Sequence, residues 1–238
     1  MSKGIHEQTP GVAILASGNG TTAEAFIEAT QDGRVAAAVG LVVCNNPPEK
    51  AGIYARIDKL NQRYGLDIEV VEISGRTHPQ GNVGRGQTLA ESAAICERVV
   101  TDGFQLVALM GYLKILRGDL VEQYGWQPSF ESLYQARILN THPGPLPETA
   151  DTYGIHASER VLELGMPTSR HTVHVVGSGI DRGPIYREHA VAVKNDDSAQ
   201  SLFERVQTVE KAALPLDIHD FLQEQVAYQK RLAGVPLP

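Results

Sequence analysis

Short apolar runs alternate with helix-like patterns along the first 140 residues of the chain. The predicted strands are Val12–Ala16, Ala36–Cys44, Ile68–Val71, Leu106–Met110 and Arg137–Asn140. Predicted helices lie between them at Thr22–Ala29, Ala51–Tyr64 and Leu89–Asp102. Uninterrupted apolar strands are typical of a parallel sheet that is covered on both faces. The alternation therefore predicts an α/β fold, a Rossmann-like, mostly parallel twisted sheet flanked by helices.

The pattern changes after residue 140. A helix is predicted over Gly154–Leu164, followed by strands at Thr172–Val176 and Ile185–Val193. Their short glycine-rich connection fits antiparallel strands. A long helix, Ser198–Gln225, ends the pattern and has a predicted kink at Pro215. We expect these antiparallel strands to extend the same sheet, so that residues 1–238 form a single domain.

Residues 74–87 interrupt the rhythm with four glycines, one proline and two arginines. No hydrophobic period runs through them, and the segment is predicted to be a mobile surface loop.

Composition narrows the class of protein. Of the 238 residues, 42 % are hydrophobic, which is ordinary for a globular protein. The net charge of −7 argues against the basic surface that nucleic-acid binding needs. The N-terminus has no apolar signal segment, and no run approaches the ~20 apolar residues of a membrane span. We therefore expect a cytoplasmic protein with neither nucleic-acid nor membrane partners, whose assembly, monomer or homodimer, the sequence leaves open.

Cysteine and histidine spacing gives no sign of a metal centre. Cys44 and Cys96 lie in apolar surroundings and are expected to be buried, reduced thiols. No histidine pair has a spacing typical of metal ligands with a nearby carboxylate, so no metal is predicted.

Three candidate segments lie at the ends of predicted strands, namely Ser17–Thr22, Gly111–Leu116 and Asn140–Pro147. Ligands of open α/β sheets bind at the carboxyl ends of the strands, so these segments should meet in one cleft. In the first, glycines and a helix N-terminus suit a phosphate, although strand–turn–helix segments of this kind are common. Thr21 to Glu24 also resembles a capping box, whose carboxylate would compete with a phosphate.

Asn140 and His142 are two residues apart at a strand end, so their side chains point to the same side. An amide N–H can stabilise an oxyanion, and an imidazole can move a proton. The alternative interpretation, a structural Asn and a surface His in a turn, stays open. Asp181 would matter only beside His142, where it would raise the pKa of the imidazole and fix its tautomer. His174 is expected to be a core histidine, and His156 to line the cleft.

The order of these segments resembles the glycinamide ribonucleotide (phosphoribosylglycinamide) formyltransferases, folate-dependent enzymes of purine synthesis. The resemblance covers about residues 11–222 and rests on Ala16–Gly20, Met110–Leu116, Asn140–Pro143 with Leu146-Pro147, Ile180–Pro184 and Arg205–Glu210. The Asn-x-His-Pro and Asp-x-Gly-Pro segments are shared with the wider formyltransferase superfamily. The Ser-Gly-x-Gly loop and the Gln-x-x-Glu segment are more particular to the glycinamide ribonucleotide enzymes.

The resemblance implies formyl transfer from 10-formyltetrahydrofolate to an amine, without a metal. Asn140 would hold the formyl oxygen, His142 would stabilise the tetrahedral intermediate and move protons, and Asp181 would raise the pKa of His142. The acceptor phosphate would bind at Gly20, Thr21 and Thr22, helped by Gln207 and Glu210. Folate would bind along Arg85, Leu113, Lys114, Ile115 and Leu116. A nucleotide-substrate half, about 11–110, would then precede a folate and catalytic half, about 111–225.

The chain departs from the family pattern mainly on the acceptor side. Thr21-Thr22 replaces a usual Ser-Asn, Lys114 replaces an arginine, and Gly144-Pro145 replaces Ser-Leu. Another acceptor, such as an amino sugar or the water used by formyltetrahydrofolate hydrolase, is the alternative, as is a catalytically silent ligand-binding relative.

Overall fold

The computed structural model describes residues 9–80 and 84–234, which contain seven strands and six α-helices. The strands are β1 (Gly11–Ala16), β2 (Ala38–Cys44), β3 (Glu69–Glu72), β4 (Leu106–Leu109), β5 (Ile138–His142), β6 (Thr168–Val175) and β7 (Ile185–Ala192). The helices are α1 (Thr21–Gln31), α2 (Ile53–Tyr64), α3 (Leu89–Thr101), α4 (Asp119–Tyr124), α5 (Ile155–Glu163) and α6 (Ala199–Leu232). Every predicted strand and helix is confirmed, with shifted ends.

Two differences have simple physical reasons. Helix α4 was not predicted, because six residues are too few to show a helical period. Strand β6 begins four residues before the predicted Thr172, because its first residues are polar and hide the strand. Helix α6 continues through Pro215 to Leu232; a kink at Pro215 stays a prediction.

All seven strands form one sheet in the order β3-β2-β1-β4-β5-β6-β7. The pairs from β3 to β5 are parallel, whereas β5–β6 and β6–β7 are antiparallel. The chain first adds β2 and β3 on one side of β1 and then adds β4 and the later strands on its other side, so the strand order reverses between β1 and β4. That is the switch point at which open α/β sheets bind ligands, and the predicted fold class is confirmed.

Both faces of the sheet are covered. Along β1, Val12 and Ile14 pack into the core under α1, α2 and α6, while Ala13 and Leu15 pack into the core on the α3 side. This explains the uninterrupted apolar sequence of β1, since neither of its faces meets water. Cys44 and Cys96 are buried and free, as predicted.

Ser17 ties the ends of β1 and β4 together. Its backbone N–H donates to the Gly111 carbonyl at 3.1 Å, and its buried hydroxyl accepts from the Leu113 N–H at 2.8 Å. The segments that follow the two strands are therefore fixed relative to each other at the carboxyl edge of the sheet.

The predicted surface loop, 74–87, is anchored at both ends of its described part. Ser74 and Gln87 are buried, and the Gln87 amide donates to the Tyr112 hydroxyl at 3.0 Å. Its middle, including Arg76 and Arg85, is exposed, whereas residues 81–83 lie outside the described residues. Within the described ranges, no helix is long and apolar enough to cross a membrane.

Candidate active site

The last residues of β5 place Asn140 and His142 at the carboxyl edge of the sheet. β6 runs antiparallel to β5, with Asn140 opposite His174 and His142 opposite Thr172. The Asn140 side-chain amide lies 3.0 Å from His174 Nε2 and 3.4 Å from Asp181 Oδ1. Residues that are distant in the sequence are thus joined by a strand pair rather than by a loop.

Asp181 reaches this cluster from the loop between β6 and β7. Its backbone has φ 50°, in the left-handed region that a non-glycine residue adopts only at a cost. Nearby, a Cβ on Gly183 would lie 1.7 Å from the Val175 carbonyl oxygen, so only glycine lets the loop turn this closely. The carboxylate then lies 3.6 Å from His142 Nδ1 and 3.5 Å from His174 Nε2. The predicted meeting of Asp181 with His142 is present.

Thr149 sets the tautomer of His142. The Thr149 hydroxyl donates its one proton to the Pro145 carbonyl at 2.7 Å, and its oxygen lies 2.9 Å from His142 Nε2. Nε2 must therefore donate to Thr149, because that hydroxyl has no second proton. The neutral ring consequently keeps its lone pair on Nδ1, which faces Asp181, and can take up a proton there.

Burial and charge act in opposite directions on this cluster. Burial lowers the pKa of His142 below its ordinary value, and the Asp181 carboxylate only partly offsets that effect. Burial alone would raise the pKa of Asp181, but its interactions with His174 and His142 outweigh burial and hold it below its usual range. A neutral imidazole beside an ionised carboxylate is the arrangement expected of a general base.

The contacts of two residues of the cluster, His174 and Thr149, are not predicted by the sequence. His174 was expected to be a core histidine; it is 2 % exposed, yet it contacts both Asn140 and Asp181. Thr149 gave no signal, because only the folded loop brings its hydroxyl to His142. His156, expected to line the cleft, instead lies outside the cleft-lining residues and pairs with Glu159 on the surface.

The cluster opens into a cleft with a cavity volume of about 110 Å³. Leu113, Lys114, Ile115 and Leu116 line this cleft, and their binding of folate stays a prediction. Arg85 lies at the mouth with its guanidinium 4.6 Å from the Tyr153 ring centroid. The cleft thus combines apolar walls with the polar side chains of the cluster, as ligand-binding sites usually do.

Lys114 is less available than its position suggests. Its ammonium lies 2.5 Å from a carboxylate oxygen of the fully buried Glu91, which also caps α3. The Lys114 charge is therefore already paired within the protein.

The N-terminus of α1 is free of a side-chain cap. Gly20 is the N-cap with φ 71°, and Glu24 pairs with Arg56 instead of turning back. The predicted capping box at Thr21–Glu24 is therefore wrong, because the salt bridge draws the carboxylate away. The objection that this carboxylate would exclude a phosphate is removed with it.

Residues of the phosphate segment and α6 meet next to the cleft rather than within it. Glu210, almost completely buried, accepts from the Thr22 hydroxyl at 3.4 Å and from the Thr141 hydroxyl at 3.0 Å. Burial raises the pKa of Glu210 above its ordinary value. Thr141 also lines the cleft, so it connects the two groups of residues. Gly20, Thr21, Thr22, Gln207 and Glu210 are not themselves part of the cleft lining.

Comparison with known proteins fits this geometry. A profile of the formyl transferase family matches residues 11–218. The chain belongs to the formyl transferase family. Its fold matches the structures of phosphoribosylglycinamide formyltransferase from Bacillus halodurans (TM-score 0.72, 28 % identity, covering 89 % of this chain and 95 % of that one) and of glycinamide ribonucleotide transformylase 1 from Symbiobacterium toebii (TM-score 0.75, 28 % identity, 94 % and 92 %).

Among curated relatives, this formyl transferase is 33 % identical over 205 residues to the trifunctional purine biosynthetic protein adenosine-3 of Gallus gallus. The match covers 86 % of the chain but 18 % of that relative's length. The phosphoribosylglycinamide formyltransferase of Bacillus subtilis is 25 % identical, over 88 % of the chain and 93 % of its own length.

Proposed function

We propose that the protein transfers the formyl group of 10-formyltetrahydrofolate to the amine of glycinamide ribonucleotide, a step of purine synthesis. The observation that carries the proposal is the cluster of Asn140, His142 and Asp181 beside a cleft whose wall leads through Thr141 to Glu210. The names of the matched relatives support the same substrates. In this proposal residues 11–110 hold most of the acceptor and residues 111–225 the folate and the reacting groups.

The chemistry follows from the protonation states. The acceptor amine attacks the formyl carbon and loses a proton; the bond from that carbon to the folate nitrogen breaks, and that nitrogen takes up the same proton from His142. His142 Nδ1 accepts this proton, because Nε2 already carries one that Thr149 holds. Asp181 stabilises the resulting imidazolium across 3.6 Å. The Asn140 side-chain amide makes a long hydrogen bond of 3.4 Å to Asp181. In the reaction this N–H turns to the formyl oxygen, where negative charge develops.

The cleft fits the folate on chemical grounds. Apolar side chains such as Leu109 and Ile180 line it. The Leu113 N–H donates to Ser17, and both backbone groups of Ile115 are bonded to residues 85 and 87, so the backbone groups of Lys114 and Leu116 are the ones that would bond a flat heterocycle. Arg85 stands at the mouth, where a carboxylate of the folate tail would meet it. These residues bind and orient the formyl donor.

The acceptor is held on the α6 side. The N-terminus of α1 at Gly20, Thr21 and Thr22 offers N–H and hydroxyl donors to the phosphate, towards which the Thr22 hydroxyl turns from its long 3.4 Å contact with Glu210. When ionised, the Glu210 carboxylate can accept hydrogen bonds but cannot donate them. It therefore suits the ribose hydroxyls, which donate, rather than the phosphate. Gln207, three residues earlier on α6, adds an amide donor on the same side.

The deciding experiment is a formyl-transfer assay with 10-formyltetrahydrofolate and glycinamide ribonucleotide. Parallel reactions contain an amino-sugar nucleotide as acceptor or no acceptor. Formylated glycinamide ribonucleotide as the main product supports the proposal. Faster transfer to the amino sugar, release of formate without an acceptor, or binding without turnover would each replace it.

Thr149 is a positioning residue, and we predict that Thr149→Val lowers kcat by about 10–100-fold with little change in KM for either substrate. Valine keeps the shape but leaves the proton on Nε2 without an acceptor, so the ring can rotate and adopt the other tautomer. Steady-state kinetics measure the effect. Thr149→Ser should recover most of the rate; a valine variant as active as the serine variant would remove Thr149 from this role.

Thr22 tests the acceptor side. Thr22→Val should raise KM for glycinamide ribonucleotide about 10-fold, the effect of about one lost hydrogen bond of 1.4 kcal/mol, and leave KM for the folate unchanged. The matched control is Thr208→Val on the exposed face of α6, whose hydroxyl bonds only the Glu204 carbonyl. An unchanged acceptor KM in Thr22→Val would take Thr22 out of the phosphate site.

A further inference from the structure

A second cluster of polar side chains lies on the opposite face of β6 from the candidate active site. It consists of His171 on β6, His189 opposite it on β7, and Asp217 on α6. One ligand atom from each of the three lies within 4.8 Å of the other two. Formyl transfer, as described above, uses none of them.

His171 has an unused ligand atom in this cluster. The ring is fully buried, Nε2 lies 2.6 Å from the Thr141 hydroxyl, and Nδ1 has no hydrogen-bond partner within the described ranges. Because Thr141 donates its proton to Glu210, the His171 Nε2 must donate to Thr141. The lone pair of the neutral ring therefore lies on Nδ1, in a buried place where an unmet polar atom is costly.

The other two members complete a donor set for a metal. His189 Nε2 lies 2.7 Å from Asp217 Oδ2, and the His171 and His189 rings stack with centroids 5.7 Å apart. Two imidazoles and one carboxylate are typical of Zn²⁺ sites with a fourth position open to water. The hydrogen bond from His171 to Thr141 supplies the outer contact that metal-bound histidines usually make.

We propose that His171 Nδ1, His189 and Asp217 bind a divalent cation of the zinc class. Ligand atoms around a tetrahedral zinc with bonds of ~2.0–2.1 Å lie about 3.4 Å apart. His189 Nε2 and Asp217 Oδ2, now 2.7 Å apart, therefore separate to admit the ion, and the His171 ring moves in to complete the site. The partly exposed His189 gives the ion a path from solvent. The bound ion would join α6 to β6 and β7, and through Thr141 it would fix Glu210.

The test uses the full-length protein, freed of metal with EDTA and then dialysed, and Zn²⁺ alone as the probe. Titration calorimetry and metal analysis should give one Zn²⁺ per chain, and His189→Gln and Asp217→Asn should each weaken binding by about 100-fold or more. The matched control is His156→Gln, which removes a surface histidine paired with Glu159 at the same 2.7 Å. It should bind like the unchanged protein.

Circular dichroism checks that each variant is folded. Should either variant fail to fold, Co²⁺ bound to the unchanged protein provides the second readout, with intense visible absorption expected for a four-coordinate site. Histidine-ring NMR shifts on adding Zn²⁺ should be confined to His171 and His189. Absence of binding, equal binding by both variants, or ring shifts at His142 and His174 instead would overturn the proposal.

Discussion

Replacing His142 by alanine is expected to lower kcat/KM for formyl transfer by about 10³–10⁴-fold. In the proposed mechanism the imidazole takes up a proton at Nδ1, and general-base groups typically contribute effects of this size. Binding of the folate should change little, because the ring supplies no wall of the cleft comparable with Leu113–Leu116. Single-turnover kinetics beside a folate-binding titration separate the two effects.

The control for this variant is His156→Ala, which removes an exposed imidazole outside the cleft lining. It should keep the rate of the unchanged protein. If His142→Ala retained more than about one tenth of the activity, proton transfer would have to be assigned to another group or to water.

The second large effect is expected at Asp181. Asp181→Asn keeps the size of the side chain and tolerates the left-handed backbone, but it removes the charge that stabilises the His142 imidazolium. We expect kcat/KM to fall by about 10²–10³-fold at neutral pH, the range seen when one electrostatic partner of a transition state is lost.

The same variant predicts a shift in pH dependence. Activity requires neutral His142, so kcat/KM rises with pH through the pKa of that ring. Burial lowers this pKa and Asp181 raises it, while the neighbouring His174 lowers it. Removing the Asp181 charge therefore lowers the pKa further, and the acid limb should move to lower pH. Asp220→Asn, an exposed half of the Arg187 ion pair, is the control. An acid limb that stays in place or moves upward would contradict this assignment.

The order of strands and helices could be predicted because each buried strand of the parallel part is apolar throughout. The predictions were weakest where that signal is interrupted. Thr168 to His171 begin β6 with polar residues and show no apolar strand pattern, so the predicted start of the strand is too late. Helix α4 is too short for a period, and local charge, the Arg56–Glu24 pair, overrode a capping motif.

At the candidate site, the residues at the ends of strands could be predicted from the sequence. The residues that reach the site through tertiary structure could not. Asn140 and His142 share a strand, so their common direction could be deduced. The contact of His174 depends on the antiparallel register of β6, and that of Thr149 on the path of a loop. Neither the register nor the path is encoded in a local pattern. The roles of individual residues, the single domain and the cytoplasmic location stay predictions.

Three successive residues of β5 point alternately towards the proposed catalytic cluster and towards the proposed acceptor side. Asn140 and His142 face the formyl-transfer cluster, whereas Thr141 between them faces α6 and contacts Glu210. Side chains on opposite faces of a strand can be exchanged without moving each other, because the backbone ladder fixes both. Acceptor choice could therefore be redesigned at Thr141 and its α6 neighbours while the reaction chemistry is left intact. A protein with this arrangement can acquire a new acceptor through substitutions that never touch its catalytic groups.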